Sequence, residues 1–137
     1  MPVLLEHIHQ PTTADWQDLE KIHLDTSDNG FLYNKEQLQQ WFNEGGWVMA
    51  GRFNDRIIGA VLAKEVAGEV LLSQAGVRTI TQRRGVMHQL FHFIGVWRKE
   101  EEKTLRINQC PLPLQTALIK RGFVQKNSYW LLSNNNA

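Results

Sequence analysis

The run Ile57-Ile58-Gly59-Ala60-Val61-Leu62-Ala63 is apolar throughout, with no polar residue at alternate positions. A strand with one wet face alternates, so this run reads as a strand in the middle of a sheet, covered on both faces. Covering both faces takes amphipathic helices, and patterns of helical period flank the run on either side. The chain is therefore expected to be α/β, with a mixed central sheet and helices on both faces.

Residues 3–9 read as a first strand, closed by Pro11. Thr12-Thr13-Ala14-Asp15 resembles a capping box that opens a helix, with Trp16, Leu19 and Ile22 on its buried side and the turn-prone Ser27-Asp28-Asn29-Gly30 beyond its end. Asn34 and Gln37 open a second helix, Leu38, Trp41 and Phe42 form its stripe, and Gly45-Gly46 stops it. Residues 47–53, 56–66 and 69–77 form an antiparallel meander through Asn54-Asp55 and Ala67-Gly68. Val86, Leu90, Phe93, Ile94 and Trp97 recur at helical spacing in the longest helix, where Gly95 is expected to mark close packing. Residues 104–108 are a short strand, and Pro111 and Pro113 introduce a helix carrying Leu114, Ala117 and Leu118. Gly122 caps that helix, and residues 123–132 supply a last strand.

One domain is expected over residues 1–137, with a frayed tail at 133–137. The net charge is +1, from 15 Lys and Arg against 14 Asp and Glu, which argues against a protein that coats nucleic acid or an anionic membrane over a wide face. Cys110 is the single cysteine, so no intrachain disulfide and no cysteine zinc cage can form, in keeping with a reducing, cytoplasmic setting. The start lacks the pattern of a secretory signal, and the apolar runs are too short to span a bilayer. His88 and His92 stand four apart on one helix, but the residues between them lack the glutamate of a zinc-protease motif, so no metal site is assigned. The tryptophans are spread over separate elements and read as core.

The chemistry concentrates where a strand ending at Val77-Arg78 passes through Gln82-Arg83-Arg84-Gly85-Val86-Met87-His88 into the long helix, expected to begin after Thr81. Free amides at a helix start, the positive end of its dipole and the guanidinium groups of Arg78, Arg83 and Arg84 favour a diphosphate or another anion. Taken alone, the same residues fit a solvated basic turn equally well.

The element order and this turn resemble the GNAT acetyltransferase superfamily. Its Gln/Arg-x-x-Gly-x-Gly/Ala motif, matched here from Gln82 to Val86, binds the CoA diphosphate. The final position is Met87, whose side chain would either crowd the phosphates or swing aside. Within the superfamily the chain is most similar to the PanZ (PanM) group, acetyl-CoA-binding maturation factors of aspartate decarboxylase. That likeness rests on Asp18-Leu19, Lys21-Ile22, Arg52-Phe53-Asn54-Asp55-Arg56-Ile57-Ile58-Gly59-Ala60-Val61, Val77-Arg78, Thr81 and Arg83-Arg84-Gly85-Val86. The helix over residues 34–44 looks inserted.

The resemblance implies acetyl-CoA or CoA as cofactor. Gln82, Arg83, Arg84, Gly85, Val86, Met87 and His88 would hold the diphosphate, and the backbone at Ala75 and Val77 would pair with the pantetheine arm. The implied partner is the aspartate decarboxylase precursor, whose self-cleavage the protein would promote in pantothenate and CoA synthesis. The strand residues 71–77 lack the carboxylate of typical acetyltransferases, and Leu118 takes the usual place of their tyrosine, so no catalytic residue is assigned. Glu65, Glu69, His23 and Tyr129 are the remaining candidates should the chain be a working N-acetyltransferase of some amine, the alternative reading.

Overall fold

The computed structural model describes residues 3–26, 33–79, 85–108 and 112–133. The elements run β1 (Leu4–Ile8), α1 (Thr13–Thr26), α2 (Lys35–Asn43), β2 (Trp47–Phe53), β3 (Arg56–Val66), β4 (Glu69–Val77) and α3 (Val86–Glu100), then β5 (Thr104–Ile107), α4 (Leu112–Lys120), β6 (Val124–Lys126) and β7 (Tyr129–Leu132). Among the described residues the strands form one sheet in the order β1-β2-β3-β4-β5-β7-β6. Only β4 and β5 are paired in parallel; every other neighbouring pair is antiparallel.

The apolar run lies in β3, near the centre of the sheet, and is buried from Ile57 to Ala63. On one face Ala60 and Leu62 meet Leu19 and Ile22 of α1 and Leu38 and Trp41 of α2. On the other, Val61 and Ala63 meet Leu90 and Ile94 of α3 and Leu118 of α4. Helix α2 is thus no appendage, because its buried stripe closes one of the two main cores. The expected N-terminal caps form at both early helices. Thr12 Oγ1 accepts from the Asp15 amide at 3.1 Å while Asp15 Oδ2 accepts from the Thr12 amide at 3.1 Å, and Asn34 and Gln37 exchange the same pair of bonds. Gly122, at φ 94°, ends α4 with the Phe123 amide donating to the Leu118 carbonyl, as a glycine at that place allows.

Three expectations are corrected. Residues 123–132 are a hairpin rather than one strand: Asn127 takes a left-handed conformation (φ 43°), turns the chain, and lets β7 slip between β5 and β6. Gly95 does not mark close packing, since a Cβ there would meet nothing within 4 Å. Ala117 is exposed, leaving Leu118 to carry the described buried face of α4. Leu114 and Cys110 lie outside the residues whose side chains are described.

At the β1 edge of the sheet, Trp47 Nε1–H donates to His7 Nδ1 at 3.1 Å, and the Trp97 ring lies 4.7 Å from the imidazole. Burial pushes His7 below its ordinary value and His9 adds to that shift, against the opposing charge of Glu101. A histidine depressed in the folded state takes up its proton first in the unfolded chain, near pH 6.5. Stability from this group is therefore complete above that pH and falls as the pH drops toward the folded value. Wild type is expected to lose melting temperature between pH 7.5 and 5.5, and His7→Gln to lose less. Parallel slopes in thermal melts would contradict this origin.

Candidate functional site

The site begins with a defect in the sheet. Val61 pairs with Ala75 but Ala63 pairs with Leu72, so β4 holds one extra residue opposite β3. The bulge returns Ala75 to the side of Leu72, and both pack into the same core beneath α3. It also lies where β4 and β5 part, since β5 pairs with β4 only from Glu69 to Leu72. Beyond the bulge, the β4 edge that faced β5 has no strand partner among the described residues.

Which backbone groups line that edge follows from the pairing. The Arg78 amide donates to the Ile58 carbonyl at 2.9 Å, so Arg78 turns its backbone groups toward β3 and, two residues earlier, so does Gly76. Ala75 and Val77 alternate with them and present N–H and C=O to the open edge. An extended ligand with an amide-bearing arm can pair there as a strand would.

The other half of the site is the start of α3, which begins at Val86 rather than directly after Thr81. Gly85 is its N-cap, at φ 69° and ψ 23°, without a side-chain cap. Among the described residues, a Cβ at Gly85 would meet nothing within 4 Å. Gly85 already takes the Gln89 amide at 2.9 Å, and the amides of Val86, Met87 and His88, ahead of that first helical acceptor, have no acceptor among the described residues. Val86 is fully buried against Val3, Ile58 and Val77, which ties the helix start to the end of β4. Met87 is half-buried and packs against the core beneath α3. Gln82, Arg83 and Arg84 lie outside the described residues.

Arg78 does not stand ready for an anion as expected. Its Nε–H donates to Asp25 Oδ2 at 2.7 Å, and the same oxygen takes the Thr79 amide at 3.0 Å. These two bonds hold the Asp25 carboxyl below its usual range. Asp25 is one of three acids along α1 that meet arginines. Asp15 pairs with Arg52 Nη2 at 2.9 Å, and Asp18 receives both Nε–H and Nη2–H of Arg56 together with the Ile57 amide at 3.1 Å. Arg52 and Arg56 of the 52–61 run, together with Arg78, thus fasten α1 across the ends of β2, β3 and β4. Spacing alone carried this signal, since 15, 18, 22 and 25 fall on one helical stripe.

Of the remaining catalytic candidates, Glu65, Glu69 and Tyr129 lie elsewhere. Glu65 pairs with Lys103 at 3.6 Å and Glu69 with Arg106 at 3.3 Å. Glu69 opens β4 and Val77 ends it, a separation of about 26 Å at strand rise. The Arg106 guanidinium stacks on Tyr129 at 3.8 Å, and His23 sits on α1. Leu118 is buried in the core beneath α3. Among the described residues no group of three His, Cys, Asp or Glu side chains is placed to hold a metal, and no helix is long and apolar enough to cross a membrane.

The fold that carries this splayed pair and helix start is shared with solved GNAT proteins. A GNAT-family protein of Desulfovibrio desulfuricans superposes with a TM-score of 0.73 at 13% identity, covering 96% of this chain and 99% of that one. The E. coli protein YhhK, solved with coenzyme A, gives 0.66 at 20% identity over 98% and 100%. A GNAT acetyltransferase from Elizabethkingia anophelis with acetyl-CoA bound gives 0.65 at 16% over 96% and 97%. At such identities the likeness establishes the fold, which is that of the GNAT superfamily. A family model described as the acetyltransferase (GNAT) domain of PanZ matches residues 2–108, and the chain belongs to that family. No curated protein matches the sequence.

Proposed function

We propose that this protein binds acetyl-CoA and, so loaded, docks on the aspartate decarboxylase precursor to promote its self-cleavage. The observation that carries this reading is a site with the fittings for the cofactor and none for acetyl transfer at the expected positions. The diphosphate would lie on the amides of Gly85, Val86, Met87 and His88 with Gln82, Arg83 and Arg84 around it, and the pantetheine arm along Ala75 and Val77. The bound cofactor would supply an acyl thioester. Transfer to an amine then needs a base for the amine and an acid for the departing thiolate. The 71–77 stretch holds no carboxylate, and the tyrosine place is a leucine in the core. Family membership supports the same choice, because PanZ-type proteins act on their partner without depending on acetyl transfer.

The test is to mix the protein with uncleaved aspartate decarboxylase from the same source, with and without acetyl-CoA. Native mass spectrometry should show assembly that requires acetyl-CoA, and the mixture should show faster precursor cleavage. Cofactor binding without assembly, together with acetyl transfer to an amine panel above background, would instead identify an N-acetyltransferase.

A further inference from the structure

We infer that Arg121, at the end of α4, is a phosphate-binding residue of the cofactor site that supplements the amides of α3 and fixes the ligand's nucleotide end. The inference rests on the acetyl-CoA reading above and adds a residue that neither the motif nor the family resemblance supplies.

Position comes first. The Arg121 amide donates to the carbonyls of Ala117 and Leu118, and the Gly122 turn with buried Phe123 fixes the chain immediately after it. From there the side chain crosses to α3. Its Nη2 lies 2.8 Å from His88 Nδ1 and 3.2 Å from the His88 carbonyl oxygen. His88 is the third residue of α3, so the guanidinium stands about one helical turn, about 5 Å, from the helix start.

The second observation is an uncompensated charge. Arg52, Arg56, Arg78 and Arg106 each meet a carboxylate. Arg121 is half-buried and, among the described residues, meets only His88, and its Nε–H and Nη1–H have no acceptor among them. Burial pulls it below its ordinary value, and among the described residues no acid offsets the loss of water. A desolvated fork of donors beside a helix start matches the geometry of a phosphate oxygen. Because an arginine only donates, His88 Nδ1 accepts from it, and the imidazole proton is on Nε2 as a further donor.

CoA offers a diphosphate and a ribose 3′-phosphate, and dephospho-CoA lacks the latter. Calorimetric titration of wild type, Arg121→Gln and Arg121→Lys with acetyl-CoA and with acetyl-dephospho-CoA separates the two. Arg121→Gln is expected to weaken acetyl-CoA by about 10- to 100-fold, the size of a lost charge-assisted bond. Arg121→Lys, which keeps the charge, should recover part of it. A loss confined to acetyl-CoA assigns the residue to the ribose phosphate, and an equal loss with both ligands assigns it to the diphosphate. Wild-type affinity in Arg121→Gln overturns the inference, and so does an Arg121→Lys as weak as Arg121→Gln, which would reduce Arg121 to a holder of His88. A wild-type protein that binds neither ligand would instead bring down the cofactor reading on which the inference rests.

Discussion

Asp18→Ala is expected to lower the free energy of unfolding by about 2–4 kcal/mol at neutral pH, a loss read by urea denaturation. The Asp18 side chain is 3% exposed, yet it is charged and accepts from both Arg56 and the buried Ile57 amide. Removing it leaves that amide without its acceptor and opens a gap between α1 and β3. Asp18→Asn keeps an oxygen for Ile57 and should lose about half as much. Burial works against ionisation of Asp18, but the Arg56 and Ile57 bonds outweigh it and hold the carboxyl below its usual range. With a folded value below the unfolded one, the stabilisation is complete above about pH 4 and disappears as the pH falls through the folded value. The deficit of Asp18→Ala should therefore shrink at pH 2.5. A neutral-pH loss under about 1 kcal/mol would mean that the clamp contributes little net stability.

Gly85→Val is expected to weaken acetyl-CoA binding by at least about 100-fold. Gly85 sits in the left-handed region, which a β-branched side chain occupies only under strain, and its open Cβ direction means that a side chain would enter the approach to the helix amides. Either relief, a moved helix start or a filled cradle, removes donors from the diphosphate. Gly68→Val is the control. Gly68 is also left-handed (φ 83°) with open space around it, but it lies in the β3–β4 hairpin at the far end of β4 from the site. Both variants should lose similar stability, about 1–2 kcal/mol, while only Gly85→Val loses the ligand. Equal binding losses in the two would show that the effect travels through global stability, not through the helix start.

The two predictions concern one end of the sheet. There α1 is fastened by its acids to Arg52, Arg56 and Arg78, and Val86 seats the beginning of α3 against Val77. A ligand site made of backbone groups needs such fastening, because amides have no rotamers with which to correct a misplaced strand or helix. Of the arginines that looked like cofactor ligands in the sequence, Arg78 serves the frame, while Arg121, which the sequence did not single out, faces the start of α3 from a distant helix.

What the order of residues settled was whatever depends on short range. The unalternating run of β3, the caps at Thr12 and Asn34, the Gly122 stop and the glycine at the head of α3 follow from local backbone and solvent preferences, so they were legible without a structure. The fold class followed from them. The rest depends on contacts between residues far apart in the chain, to which local preference is blind. The bulge that splits β4 from β5 shows only in register, and the partner of Arg78 sits 53 residues away. The fate of Met87 was decided by a core assembled from several elements, and the meeting of Arg121 with His88 by the packing of α4 beside α3. A charge is an anion ligand or a structural tie according to whether an opposite charge is packed against it, and only the assembled chain determines that.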